Sequence, residues 1–162
     1  MANLSKLTPR EAGILELVLA GYTNKAIAAQ MRARLASEPS VVSVSGSNTN
    51  LGIGEDHSTS ATGICFSYGD KNICGQFVSG DYDFLKTIGI KPIEGQDFSM
   101  AYANDTSRKV IVSESYAAQF GEKNIVGFSF FTDSSESKMN VVGVIPDFQL
   151  MQLGSKQKPL AI

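Results

Sequence analysis

Histidine, cysteine and tryptophan are scarce in this chain, and the single histidine narrows the catalytic chemistry that the chain could perform. The 162 residues include one histidine, two cysteines and no tryptophan. A catalytic triad would have to use His57, which lies in a polar segment, and one histidine with two cysteines barely suffices for a zinc site. No phosphate-binding glycine loop is present. We therefore predict no catalytic residue, no metal ligand and no cofactor, and we expect His57 to be a solvated loop residue.

Charge and long apolar runs are also in short supply. There are 14 Lys and Arg against 16 Asp and Glu, so the formal net charge is −2. This balance argues against binding to nucleic acid through the phosphate backbone. The apolar runs are too short to span a bilayer, and the first residues lack the apolar core of a signal peptide. We expect the chain to be soluble.

The first 36 residues predict two helices. Thr8 is a candidate N-cap, Pro9 suits the first helical position, and Glu11 completes a capping box. Gly21 is a typical residue to follow a helix, and Thr23 can cap a second helix that ends before Pro39.

Beyond residue 40, the apolar pattern predicts short strands and two short helices. The predicted strands are 41–45, 64–68, 73–78, 109–113, 126–132 and 139–145, and the predicted helices are 83–88 and 114–120. Hairpin connections predominate, so we predict an α+β fold: a mixed, mainly antiparallel sheet with short helices, preceded by an N-terminal helical hairpin. The predicted domains are residues 1–36 and 37–162.

The two cysteines lie on either side of a predicted two-residue hairpin turn. With Gly69 and Asp70 in the turn, Cys65 lies directly opposite Cys74 in a non-hydrogen-bonded pair. Such pairs bring the Cα atoms close enough for a disulfide, which would imply an oxidising compartment. The alternative is two buried free thiols, and a register shift of one residue would place them on opposite faces.

The N-terminal segment resembles the beginning of a LuxR-type helix-turn-helix domain. The resemblance rests on Leu7-Thr8-Pro9-Arg10-Glu11, Gly21-Tyr22-Thr23-Asn24-Lys25 and Ile27-Ala28. In that family a recognition helix follows and enters the major groove. Here residues 32–39 lead into a predicted strand, so the recognition helix is missing. Two interpretations stay open: a degenerate DNA-binding segment, or a two-helix remnant that packs on the rest or was fused to it.

Residues from about 33 to 162 resemble the MacB-like periplasmic core domain of ABC-transporter permeases, within the FtsX-like superfamily. The matching segments, in order, are residues 35–44, 78–85, 88–90, 94–99, 110–114, 125–127 and 141–148.

The residues that carry this resemblance predict architecture more than a contact surface. Gly80 and Gly95 suit turns with unusual backbone angles, and Phe84, Leu85 and Phe98 look like core residues. Asp147 follows an apolar strand and is a candidate cap for the turn at 149–153. The full set of candidate structural residues is Gly80, Asp81, Tyr82, Phe84, Leu85, Gly89, Gly95, Phe98, Gly143, Asp147 and Phe148.

The resemblance implies an extracytoplasmic domain between the first two transmembrane helices of a permease. Its partners would be a cytoplasmic ATPase, a second permease copy and a periplasmic protein or peptide substrate. Such a domain relays ATPase-driven motion, has no catalytic activity, and meets the membrane only through transmembrane helices that this sequence lacks. We expect a periplasmic location in the parent protein and interpret the chain as a fragment, because the family's domain would continue beyond residue 162.

Two other functions compete with this interpretation. The first is a transcription regulator fragment with a degenerate helix-turn-helix and a sensor domain. The second is an enzyme, such as a hydrolase that uses Asp or Ser residues of the long loops. Such an enzyme would need a cleft that holds carboxylates with shifted pKa values, and no pattern in the sequence indicates one.

Overall fold

The computed structural model describes residues 7–49, 62–99, 108–131, 138–149 and 157–162. The chain divides into two compact units, Met1–Val44 and Ser45–Ile162. None of the helices in the described ranges has the length and apolar character needed to cross a membrane. His57 and the rest of its polar segment lie outside these ranges.

The first unit contains the two predicted helices, α1 (Pro9–Leu19) and α2 (Asn24–Ala36). The Thr8 hydroxyl accepts a hydrogen bond from the Glu11 amide at 3.3 Å, and the Glu11 carboxylate accepts one from the Thr8 amide at 2.7 Å. These two bonds confirm the capping box. The Thr23 hydroxyl caps α2 by accepting a hydrogen bond from the Ala26 amide at 3.3 Å, and Gly21 between the helices has a φ of +79°. No helix follows in residues 37–49, so the recognition helix is absent there.

The second unit is built around a mixed sheet. Its elements are β1 (Thr62–Tyr68), β2 (Lys71–Phe77), α3 (Phe84–Ile88), β3 (Glu94–Gly95), β4 (Arg108–Ser113), α4 (Glu114–Phe120), β5 (Ser129–Phe130), β6 (Met139–Ile145) and β7 (Leu160–Ala161). Within the described part of the chain, seven strands pair in the order β1-β2-β7-β4-β6-β3, with β5 also paired to β6. The β2–β7 and β4–β6 pairs are parallel and the other four are antiparallel. The predicted α+β fold with a mixed, mainly antiparallel sheet is confirmed.

The core lies on both faces of this sheet. Val110 and Val112 of β4 belong to one apolar cluster, together with residues of α4, whereas Ile111 belongs to a second cluster with residues of α3. Successive side chains of a strand point to opposite faces, so α4 covers one face and α3 the other.

Two predicted strands are wrong or too long. Residues 41–45 form no strand, and Val42 is 97% exposed, because none of the strands in the described ranges pairs with this segment to give its alternating pattern a buried side. The strand predicted at 126–132 is reduced to β5, since Val126 and Gly127 form a turn in which Gly127 has a φ of +86°.

Candidate functional site: helix α4 and the β1–β2 hairpin

The β1–β2 hairpin has the register that its two-residue turn predicts. Gly69 in the turn has a φ of +60°, and Cys65 is paired with Cys74 across the two strands. The Cα atoms of the two cysteines are 4.2 Å apart and a disulfide joins their Sγ atoms. Cys65 is exposed and Cys74 is half-buried, so the bond lies on the accessible side of the hairpin.

The side chain of Gln119 on α4 pairs with the backbone of Cys74 as a neighbouring strand would. The Cys74 amide donates to Oε1 of Gln119 at 2.9 Å, and Nε2 of Gln119 donates to the Cys74 carbonyl at 3.0 Å. In a non-hydrogen-bonded pair, the amide and carbonyl of each residue point away from the partner strand. These groups of Cys74 therefore need another partner, and α4 provides it.

The C-terminal end of α4 is held by the first residue of β2. The Lys71 ammonium donates to the Phe120 carbonyl at 2.7 Å, where it also meets the negative end of the helix dipole. Gly121 ends the helix with a φ of +73°, and its missing Cβ leaves the space that the Lys71 ammonium occupies. Close by, the Tyr68 hydroxyl donates to Glu122 at 3.3 Å. Burial, followed by the charge of Glu122, raises the pKa of Tyr68.

The N-terminal end of α4 is held by Ser113 and Asp147. The Ser113 hydroxyl accepts a hydrogen bond from the Tyr116 amide at 3.4 Å. Asp147, which follows β6, accepts from the Ser115 amide at 3.0 Å and from the Ser115 hydroxyl at 2.7 Å. Burial raises the pKa of Asp147, but its hydrogen bonds from Ser115 and Ser113 lower it by more, and the pKa lies below its ordinary value. Asp147 thus binds the first turn of α4, which was not predicted, while most of the turn at 149–153 that it was predicted to cap lies outside the described residues.

Aromatic rings fill the space between α4 and the sheet. The Phe66 ring stacks on that of Phe130, with centroids 5.2 Å apart, and Phe120 of α4 lies 5.1 Å from Phe130. Gly75 of β2 lies under the Tyr116 ring, where an added Cβ would come within 2.6 Å of the ring carbons. Burial raises the pKa of Tyr116 to about 12. Tyr116 and Phe120 of α4 therefore pack closely against the hairpin.

A second group of the candidate residues surrounds α3 on the opposite face of the sheet. The Asp81 carboxylate accepts hydrogen bonds from the Ser45 hydroxyl and from the Gly46 amide, both at 2.7 Å. Phe84 and Leu85 are buried, and Gly89 ends α3 with a φ of +74°. Tyr82 is 42% exposed.

Gly80 differs from its prediction. Its φ is not in the left-handed region; the position instead requires glycine because an added Cβ would come within 2.6 Å of the Phe84 ring.

The remaining candidates lie where β3 meets β6. Gly95 has a φ of +71°, which is the kind of unusual backbone angle predicted for it, but it lies in strand β3 and is paired with Gly143 instead of forming a turn. An added Cβ on Gly143 would come within 2.5 Å of the Gln96 carbonyl oxygen. Phe98 and Phe148 are half-buried and pack against the cluster that contains α3, so Phe98 borders the core instead of lying inside it.

The contacts of α4 connect separate elements of the sheet. In the ranges described, no three His, Cys, Asp or Glu side chains are grouped as metal ligands would be, and no buried side-chain nitrogen or oxygen lacks a hydrogen bond. The arrangement ties one helix to the hairpin at Cys74 and Lys71 and to the end of β6 at Asp147. Helix α4 therefore connects the hairpin at one edge of the sheet with β6, which lies next to the opposite edge.

Sequence reasoning missed three of the side chains that make these connections. Ser113 directly precedes a predicted helix, which is the position of an N-cap, so its role carried a local signal. Lys71 and Gln119 carried none, because their partners are backbone atoms 49 and 45 residues away in the chain.

Two solved structures of transporter domains share this fold. The extracellular domain of the noncanonic ABC-type transporter YknZ from Gram-positive bacteria matches with a TM-score of 0.55 and 13% identity, over 82% of this chain and 59% of that one. The periplasmic region of MacB from Actinobacillus actinomycetemcomitans matches with a TM-score of 0.51 and 14% identity, over 82% of this chain and 61% of that one. The chain thus spans about three fifths of each structure, and its fold is that of the extracellular domain of YknZ and the periplasmic region of MacB.

The N-terminal unit is similar to a different family of proteins. Residues 5–34 match the family described as bacterial regulatory proteins, luxR family. This match covers α1 and nearly all of α2, and it agrees with the resemblance predicted for the same segment. No curated protein matches the chain.

Proposed function

We propose that this chain is part of the extracytoplasmic domain of an ABC-transporter permease, where it transmits ATPase-driven motion to export substrates or partner proteins and catalyses no reaction itself. The observation that carries the proposal is the fold shared with the YknZ and MacB domains. Its partners in the parent permease would be a cytoplasmic ATPase, a second permease copy and a periplasmic protein or peptide substrate. Residues 1–36 would form a separate helical segment, and residues 37–162 part of the periplasmic core domain.

The connections made by α4 suit a domain that transmits motion. An element that relays displacement has to move as one body, because soft joints would absorb the movement. Hydrogen bonds donated by Gln119 and Lys71, together with those that Asp147 accepts from Ser115, hold the body and both ends of this helix to the sheet. The aromatic cluster beneath it has few ways to deform, since protein interiors are close-packed.

The disulfide supports an extracytoplasmic location. Disulfides persist in oxidising compartments such as the periplasm and are rare in the cytosol. The bond between Cys65 and Cys74 also lies on an accessible side of the hairpin, where cytosolic reductants would reach it.

The test is to isolate the protein from its native host with its own partners. A tagged copy, expressed from its native gene, is purified from detergent-solubilised membranes, and co-purified proteins are identified by mass spectrometry. We expect an ABC-type ATPase in the isolate, whose ATP hydrolysis is altered when the hairpin is disrupted by Phe66→Ala but not by the exposed change Ser67→Ala. Recovery in the cytosolic fraction, without any ATPase, would overturn the proposal.

The luxR-family match favours one alternative, a transcription regulator fragment. The absence of a helix in residues 37–49 and the net charge of −2 weaken it. Fluorescence anisotropy with labelled duplex DNA distinguishes the two functions, because phosphate contacts give binding that weakens steeply with salt. We expect no binding at low salt; saturable, salt-dependent binding would favour the regulator.

A further inference from the structure

Strand β1 is a sheet edge without the usual protection against pairing. It is the terminal strand of the sheet, and no strand of the described ranges pairs with its outer side. Its seven residues pair with β2 without a bulge. Thr62–Tyr68 contains no charged residue and no proline. Natural edge strands are commonly blunted by charges, prolines or bulges, so an edge that lacks them is suited to accept another strand.

The backbone groups that face outward can be identified residue by residue. The Cys74 amide and carbonyl bind Gln119, and the Gln76 amide donates to the Pro159 carbonyl at 2.8 Å. Both residues of β2 therefore direct their backbone groups away from β1. Their partners in β1, which are Cys65 and Gly63, must direct theirs away from β2, and the period of two adds Ser67.

These outward groups are symmetric about the middle of the strand. Cys65 is the central residue of Thr62–Tyr68, with Gly63 and Ser67 at equal distances on either side. A second β1, antiparallel and related by a two-fold axis at Cys65, would place Gly63 of one copy opposite Ser67 of the other. All outward amides and carbonyls would then be paired, in about six backbone hydrogen bonds.

We propose that β1 pairs with β1 of a second copy of this chain. Because the strand carries no charge, the two-fold arrangement brings no like charges together. On the face that covers the aromatic cluster, Phe66 would lie opposite Ile64 of the other copy, which is a favourable cross-strand pair. This inference deepens the proposed function, on which it rests for the presence of a second copy, by naming the surface through which two copies meet.

The test measures amide hydrogen exchange in the whole chain at increasing protein concentration, together with its mass in solution by light scattering. The amides of Gly63, Cys65 and Ser67 should slow by roughly tenfold or more as dimer forms, since their exchange then requires the pair to open. The amides of Ile64 and Phe66 face β2 and should stay slow at every concentration.

A variant removes one outward donor from each copy. Ser67→Pro deletes an amide that does not bond to β2, and an edge strand tolerates proline at such a position. It should weaken dimerisation by about thirtyfold, whereas Ser67→Val, which keeps the amide, should not. The exchange measurement needs no variant, so it decides the matter even if Ser67→Pro fails to fold.

Three outcomes would overturn the inference. The first is a protein that stays monomeric at all concentrations and whose outward amides exchange fast. The second is slow exchange of the outward amides already in the monomer. The third is a dimer in which the outward amides still exchange fast. None of these affects the proposed function, which the co-purification of an ATPase tests separately.

Discussion

Gln119 provides the most direct test of how α4 is held on the hairpin. In Gln119→Ala, the Cys74 amide and carbonyl each lose their partner, at bond lengths of 2.9 and 3.0 Å. A hydrogen bond contributes about 1 kcal/mol net, and a half-buried group left unpaired costs somewhat more. The better helix propensity of alanine returns about 0.4 kcal/mol. We expect the free energy of unfolding to fall by about 2 kcal/mol.

The assay combines urea unfolding, followed by near-ultraviolet circular dichroism of the tyrosines, with amide exchange. In Gln119→Ala, the Cys74 amide should exchange faster, while the Gln76 amide, which donates to the Pro159 carbonyl, should not change. Gln119→Glu keeps the acceptor and loses the donor, so the Cys74 amide should stay protected although stability falls.

The control for Gln119→Ala is Gln30→Ala, at an exposed position of α2, which should leave the stability of the sheet unchanged. A loss below about 0.5 kcal/mol in Gln119→Ala, with an unchanged Cys74 amide, would refute the reasoning.

Three further predictions follow from the same structure. Hydrogen bonds hold the pKa of Asp147 below that of the unfolded chain, so its stabilisation is present above about pH 4 and is lost as pH falls through the folded pKa. Asp147→Asn should therefore flatten the acid limb of a stability–pH profile, and an unaltered limb would count against the cap. Gly143→Ala should lower the free energy of unfolding by about 1–3 kcal/mol, because the added methyl group overpacks against a backbone carbonyl. The control Gly63→Ala, whose added methyl group meets open space, should not lower it. Equal melting temperatures for the two variants would contradict this prediction. Burial raises the pKa of Tyr116 to about 12, so the stability of the protein should decline as pH rises above about 10. The decline should be smaller in Tyr116→Phe, which has no hydroxyl to ionise. The same alkaline decline in the variant and the unchanged protein would contradict the burial of Tyr116.

Locally coded features were predictable from the sequence. The caps at Thr8 and Thr23 and the turn at Gly69 depend on a few neighbouring residues, and each appears where it was predicted. The two-residue strands β3 and β7 were not predicted, since they exist only through pairing with distant strands. Their sequences carry no period to detect.

The residues around α4 show where sequence reasoning reached its limit. The position of Asp147 after an apolar strand indicated a cap, but the parallel β4–β6 pair decides which helix lies within its reach. The strand predicted at 41–45 was wrong because alternating apolar residues form a strand only where a partner strand lies beside them, and no strand of the described ranges does so here.

The state of Cys65 and Cys74 in living cells tests the central claim most directly. Free thiols are blocked in intact cells with a membrane-permeant alkylating agent, and the protein is then purified, reduced and labelled with a second agent of different mass. If the domain is extracytoplasmic, both cysteines should carry only the second label. A peptide map made before reduction should then show Cys65 and Cys74 in one disulfide-linked pair of peptides. First-label alkylation of both cysteines in the native host would place the protein in a reducing compartment and contradict the account.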